Sequence, residues 1–132
     1  MPNPDDPQAW IAKARNDLLC IDNNLRCSEV PWDAIAYHAQ QAAEKMLKAC
    51  LVHSGVEVPR THDLGRLLGE CLAVGLSSLS GIADDCDLLT PYGVATRYPG
   101  EEPDVFESDA RAAAEAAKRI VAAAQIAMSP TA

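Results

Sequence analysis

From residue 32 to residue 54 the chain contains neither proline nor glycine, and its apolar residues recur at three- and four-residue steps. A run of that length and period is a helix of about 35 Å, so the remainder of the chain has to pack along it. Ile35, Ala39, Ala42, Met46, Ala49, Cys50 and His53 share one face of this helix, which is expected to be core. Pro31 suits its first turn, and Gly55 offers a left-handed residue to end it.

The same period appears on either side. From Gln8 to about Arg26, Trp10, Ala14, Leu18, Ile21 and Leu25 form a stripe widened by Ile11, with Asp6 as N-cap and Pro7 at the first position. Thr61 is placed to cap a shorter helix over 62–73, with Leu64, Leu67, Leu68 and Leu72 inward and Gly75 at its end. A fourth helix is expected from Ser77 or Ser78 to Leu89. The stretch 90–100 holds two prolines and two glycines and reads as an ordered, non-helical link. The last helix runs from Glu107 to Met128 with Phe106, Ala110, Ala113, Ala117, Ile120, Ala124 and Met128 inward. On its outer side Glu107, Arg111, Glu115 and Arg119 alternate in sign, each pair worth about 0.2–0.5 kcal/mol. No strand alternation competes with these patterns. They predict an all-α, up-and-down bundle of about five helices, one domain over 1–132 with 1–6 and 129–132 as flexible tails.

Composition narrows the class. A chain of 132 residues with 48% apolar and 23% charged residues suits one soluble domain, and no apolar run approaches the ~20 residues of a membrane span. The first residues lack a secretory pattern, which makes the cytoplasm the expected compartment. Five widely spaced cysteines without a Cys-x-x-Cys pair read as reduced thiols, with Cys50 in the core. A net charge of −8 argues against long-range attraction to bulk nucleic acid but leaves room for a local cationic site. Arg97 is the single cation within the acidic stretch 81–109.

Chemistry has to come from polar residues at boundaries. His38, Gln41, Lys45 and Lys48 occupy one strip of the long helix, about 60–160° from its apolar centre, whereas Tyr37, Gln40 and Glu44 point further round, where water is the expected neighbour. Such a strip is either an ordinary border between core and solvent or one wall of a site. His62 lies in Arg60-Thr61-His62-Asp63 at a helix N-terminus, where free N–H groups favour an anion. Arg97 offers paired donors to a phosphate, and Tyr98 a stacking face; equally, Arg97 neutralises its acidic surroundings and Tyr98 closes the core edge. Phosphate-loop, dinucleotide, nucleophile-elbow and zinc-protease signatures are all missing, and the three histidines do not have metal-ligand spacing. Neither a metal nor a cofactor is expected.

In order, the chain presents Trp10-x-x-Lys13-Ala14-x-x-Asp17-Leu18, then Tyr37-His38-Ala39-Gln40-Gln41-Ala42-Ala43-Glu44-Lys45-x-Leu47-Lys48-Ala49, then Pro59-Arg60-Thr61-His62-Asp63-Leu64, then Thr96-Arg97-Tyr98-Pro99. This order resembles the HEPN domain family over nearly the whole chain. The resemblance implies a bundle that commonly forms homodimers and is often encoded beside a minimal nucleotidyltransferase, with roles in nucleotide binding or in toxin–antitoxin pairs. Combined with the polar strip and loop residues, this makes His38, Gln41, Lys45, His62, Arg97 and Tyr98 the residues expected to hold a nucleotide or short single-stranded RNA. Many relatives are ribonucleases with an Arg-x(4–6)-His motif, and here no arginine has its histidine at that distance. A non-catalytic binding module is therefore the leading expectation, and a metal-independent ribonuclease toxin with a different catalytic set the alternative.

Overall fold

Helix α1 spans Pro7–Leu25, α2 Trp32–His53, α3 Leu64–Ala73, α4 Ala83–Leu89 and α5 Glu107–Met128. Short 3₁₀ segments, Ser77–Ile82 and Thr90–Gly93, flank α4. The computed structural model describes residues 3–94, 99–100 and 104–130, and among these there is no strand. No described helix is long and apolar enough to cross a membrane.

Local chemistry accounts for most of the boundaries. Asp6 caps α1 by accepting from Gln8 N at 3.0 Å, with Pro7 in the first turn. Gly55 and Gly75 follow α2 and α3 at φ +76° and +93°, a region that residues with a Cβ rarely enter. Asp63, not Thr61, caps α3: its Oδ1 accepts from the backbone N–H groups of Gly65 and Arg66, and Thr61 Oγ1 accepts from Asp63 N one step earlier. The expected fourth helix is divided, because the serines and Gly81 at its start are weak helix formers that settle into the tighter 3₁₀ turn. The link after Leu89 likewise begins as a 3₁₀ turn, and residues 95–98 lie outside those described.

Side-chain contacts fix the helix directions. Asp17 of α1 meets His38 and Lys45 of α2, and Trp10 meets Lys48, so α1 runs antiparallel to α2. Arg111 lies over Trp32 and Cys50 Sγ lies 3.8 Å from Ala124 O, so α5 runs parallel to α2. After α2 the chain returns along it in extended form, bringing the carbonyl of His62 to 3.1 Å from Gln40 Nε2. This return leg, with the turn at Gly93 packed on Gln40, covers a side of α2 that one apolar stripe does not reveal. Gln40 and Glu44, expected to face water, are accordingly buried.

Three further expectations change. His53 is exposed because it occupies the last turn of α2. Phe106 is 65% exposed because it is the extended N-cap residue of α5 and not part of its helical wheel. Leu72 turns to the edge while Cys71 takes the inward position. On α5, Arg111 pairs with Glu107 as expected, but Arg119 leaves Glu115 and grips Asp85 of α4 at 2.9 and 3.0 Å. All five cysteines are free thiols; Cys50, Cys71 and Cys86 are buried. Burial first, and the neighbouring Asp85 and Asp87 next, push the Cys86 thiol up to about 12, which keeps it protonated and inert.

Ala110, Ala113, Ala117 and Ala124 are fully buried, so α5 approaches its neighbours with no room for longer side chains. Ala117→Leu is expected to lower stability by about 1–3 kcal/mol through overpacking. Ala112→Leu, at an exposed position, should change it by less than about 0.5 kcal/mol, as read from urea unfolding.

Candidate functional site

The polar strip of α2 is organised by two buried carboxylates. Asp17 projects from α1 between Ala14 and Ile21 and is only 6% exposed. Its Oδ1 lies 2.9 Å from His38 Nδ1, and its Oδ2 accepts from Lys45 Nζ at 2.7 Å. One turn further on, Glu44 Oε1 lies 2.8 Å from His62 Nδ1 and accepts from Gln40 Nε2 at 3.1 Å. Its Oε2 accepts from Lys48 Nζ at 2.9 Å. Each carboxylate thus holds one histidine and one lysine. Gln41 donates to Gln40 Oε1 and so belongs with the Glu44 group.

Four of the six residues expected to form a site, His38, Gln41, Lys45 and His62, therefore come together along one flank, while Arg97 and Tyr98 lie outside the described residues. Lys48, expected on the same strip, turns away to Glu44. Sequence reasoning missed both organising acids. Asp17 could have been found: Trp10, Ala14, Asp17 and Ile21 are spaced by four, three and four residues, which places a carboxylate on a core face where it needs partners.

Hydrogen-bonding capacity remains on the outer side. Both histidines engage their carboxylates through Nδ1, which leaves Nε2 of each ring outside these contacts; the His62 side chain is 73% exposed and that of His38 27%. Burial acts on Glu44 most strongly and would raise its pKa, but hydrogen bonds from Lys48, His62 and Gln40 together overcome it and hold the carboxyl below its ordinary range. Among the described residues no cluster of histidine, cysteine or acidic side chains is arranged to hold a metal ion.

A cleft of about 820 Å³ opens where this flank reaches the end of α2, between the start of α1 and the extended return leg. Trp10, Lys48, Val52, Val58 and Arg60 contribute to its lining.

Helices packed around one central member, with carboxylate-held histidines along its flank, define an all-α module that presents a polar face. The chain belongs to the HEPN domain family, whose model matches residues 7–127. The crystal structure of an archaeal HEPN homologue shares its fold with a TM-score of 0.74 and 23% sequence identity, covering 94% of this chain and 98% of that one. No curated protein sequence matches the chain.

Because folding depresses the Glu44 pKa, its contribution to stability is fully present above the unfolded carboxylate value of about 4.3 and is lost as pH falls through the lower folded value. Glu44→Gln leaves Lys48 buried without its counterion and should cost about 3 kcal/mol near neutrality. The variant should also lose less stability than the parent between pH 6 and pH 3. Urea midpoints across that range check both statements.

Proposed function

We propose that the protein is a nucleotide- or RNA-binding interaction module that takes a short single-stranded segment along the His38, Gln41 and Lys45 flank. The supporting observation is that these three half-buried side chains are each fixed by an interior partner and each retain hydrogen-bonding capacity. A ligand meeting donors already held in place loses little free energy to ordering them. Arg97 would add a phosphate contact, Tyr98 a stacking face, and His62 a contact from the return leg. With Lys45 already neutralised by Asp17, the flank suits one or two phosphates and not a long polyanion. Following the pattern implied by the family, the module would act as a homodimer beside a separate nucleotidyltransferase chain. Leu19, 56% exposed on the outer side of α1, supports the dimer.

Arg97→Ala is expected to weaken binding of a short RNA by about 1.5–3 kcal/mol. The logarithm of affinity should fall with that of salt at a slope of roughly −0.7 to −1.4, the value for one or two single-strand phosphates. Titration by fluorescence anisotropy at several salt concentrations measures both; affinity indifferent to Arg97 and to salt would discard the site.

The paired carboxylate–histidine contacts favour a second reading, metal-independent RNA cleavage. One Nε2 would take the proton of a 2′-hydroxyl as that oxygen attacks phosphorus, and the other, protonated, would give its proton to the departing 5′-oxygen. This reading predicts 2′,3′-cyclic phosphate ends and loss of cleavage in both His38→Ala and His62→Ala. Intact RNA after prolonged incubation with the parent protein would leave the binding reading alone.

A further inference from the structure

The cleft at the end of α2 lies beyond the flank just described, and its chemistry is different. Trp10 forms part of its wall, with the indole fixed by donation from Nε1 to Pro4 O at 2.8 Å. Val52, Val58 and Pro59 supply apolar surface. Lys48 passes 5.8 Å from the indole centroid but is already paired with Glu44. Arg60 is exposed at the rim and forms no ion pair among the described residues. Asp5 and Glu57 also line the cleft.

This inventory selects a ligand. An aromatic wall beside apolar surface suits a flat ring, and clefts of about 300–1,000 Å³ are the usual size for small-molecule sites. One uncommitted guanidinium suits one phosphate, which it can hold through paired N–H donors. Two carboxylates nearby disfavour additional phosphates and can accept from the amino groups of a nucleobase. Resting on the nucleotide- or RNA-binding reading above, and deepening it, we infer that this cleft seats a single nucleoside monophosphate unit, with its base against Trp10 and its phosphate at Arg60. The unit has two sources, a free mononucleotide or the phosphorylated end of an RNA whose body follows the α2 flank.

Trp10 provides its own reporter once the other tryptophan, Trp32, is replaced by phenylalanine. In that protein, titration with AMP, GMP, CMP and UMP is expected to change Trp10 fluorescence, and ATP should bind at least several-fold more weakly than AMP. Arg60→Glu, at an exposed position that should leave folding intact, is expected to weaken monophosphate binding at least tenfold. An RNA binding more tightly with a terminal phosphate than without it identifies the RNA end as the source. Monophosphate binding with no such difference identifies the free nucleotide, and either result supports the site. Monophosphate affinity unaffected by Arg60→Glu, or ATP bound as tightly as AMP, overturns it. Short RNA bound through Arg97 with no monophosphate binding also overturns it, but leaves the flank reading standing. Absence of both kinds of binding removes both.

Discussion

Helix α2 is covered on all but one half-exposed flank, and the rest of the structure follows from that confinement. Helices α1 and α5 take opposite directions beside it, and the return leg with the turn at Gly93 closes over the side that carries Gln40 and Glu44. A helix so enclosed cannot leave its charged groups to solvent, since an unpaired buried charge costs several kcal/mol. The two carboxylate clusters meet this requirement. They also join elements: Asp17 connects α1 to α2, and Glu44 connects α2 to the segment that leads into α3.

Much of this was legible in the residues. Helix α5 has the bounds its alanine stripe suggests, and the caps at Asp6, Gly55 and Gly75 fall where local backbone chemistry requires them. What the periodicity could not convey was how many sides of a helix are covered. A helical wheel finds the centre of the apolar face, but the width of the buried arc depends on tertiary neighbours, here an extended segment with no period of its own. The wheel therefore points Gln40 and Glu44 toward water, although both belong to the interior.

The candidate site was legible to a similar depth. His38, Gln41 and Lys45 were recognisable as one strip because their spacing is helical, a property of a single element. Their connection to Asp17, and that of His62 to Glu44, depends on contacts 18 to 28 residues apart in the chain, which spacing does not encode. The cleft is less visible still, since Trp10 reads equally well as core and Arg60 as a surface charge. Only the fold places the start of α1 and the return leg on either side of the same opening.

The directions of α1, α2 and α5 carry one more consequence. Because α1 begins, and α5 finishes, beside the final turns of α2, both helix ends lie at the end of the bundle where the cleft opens. A polypeptide joined by a short flexible linker before α1 or after α5 is confined near that opening at a local concentration on the order of millimolar. An attached domain of weak intrinsic affinity would then engage the cleft as an intramolecular event. A tag intended to leave this surface clear belongs instead in the turn between α1 and α2, at the opposite end.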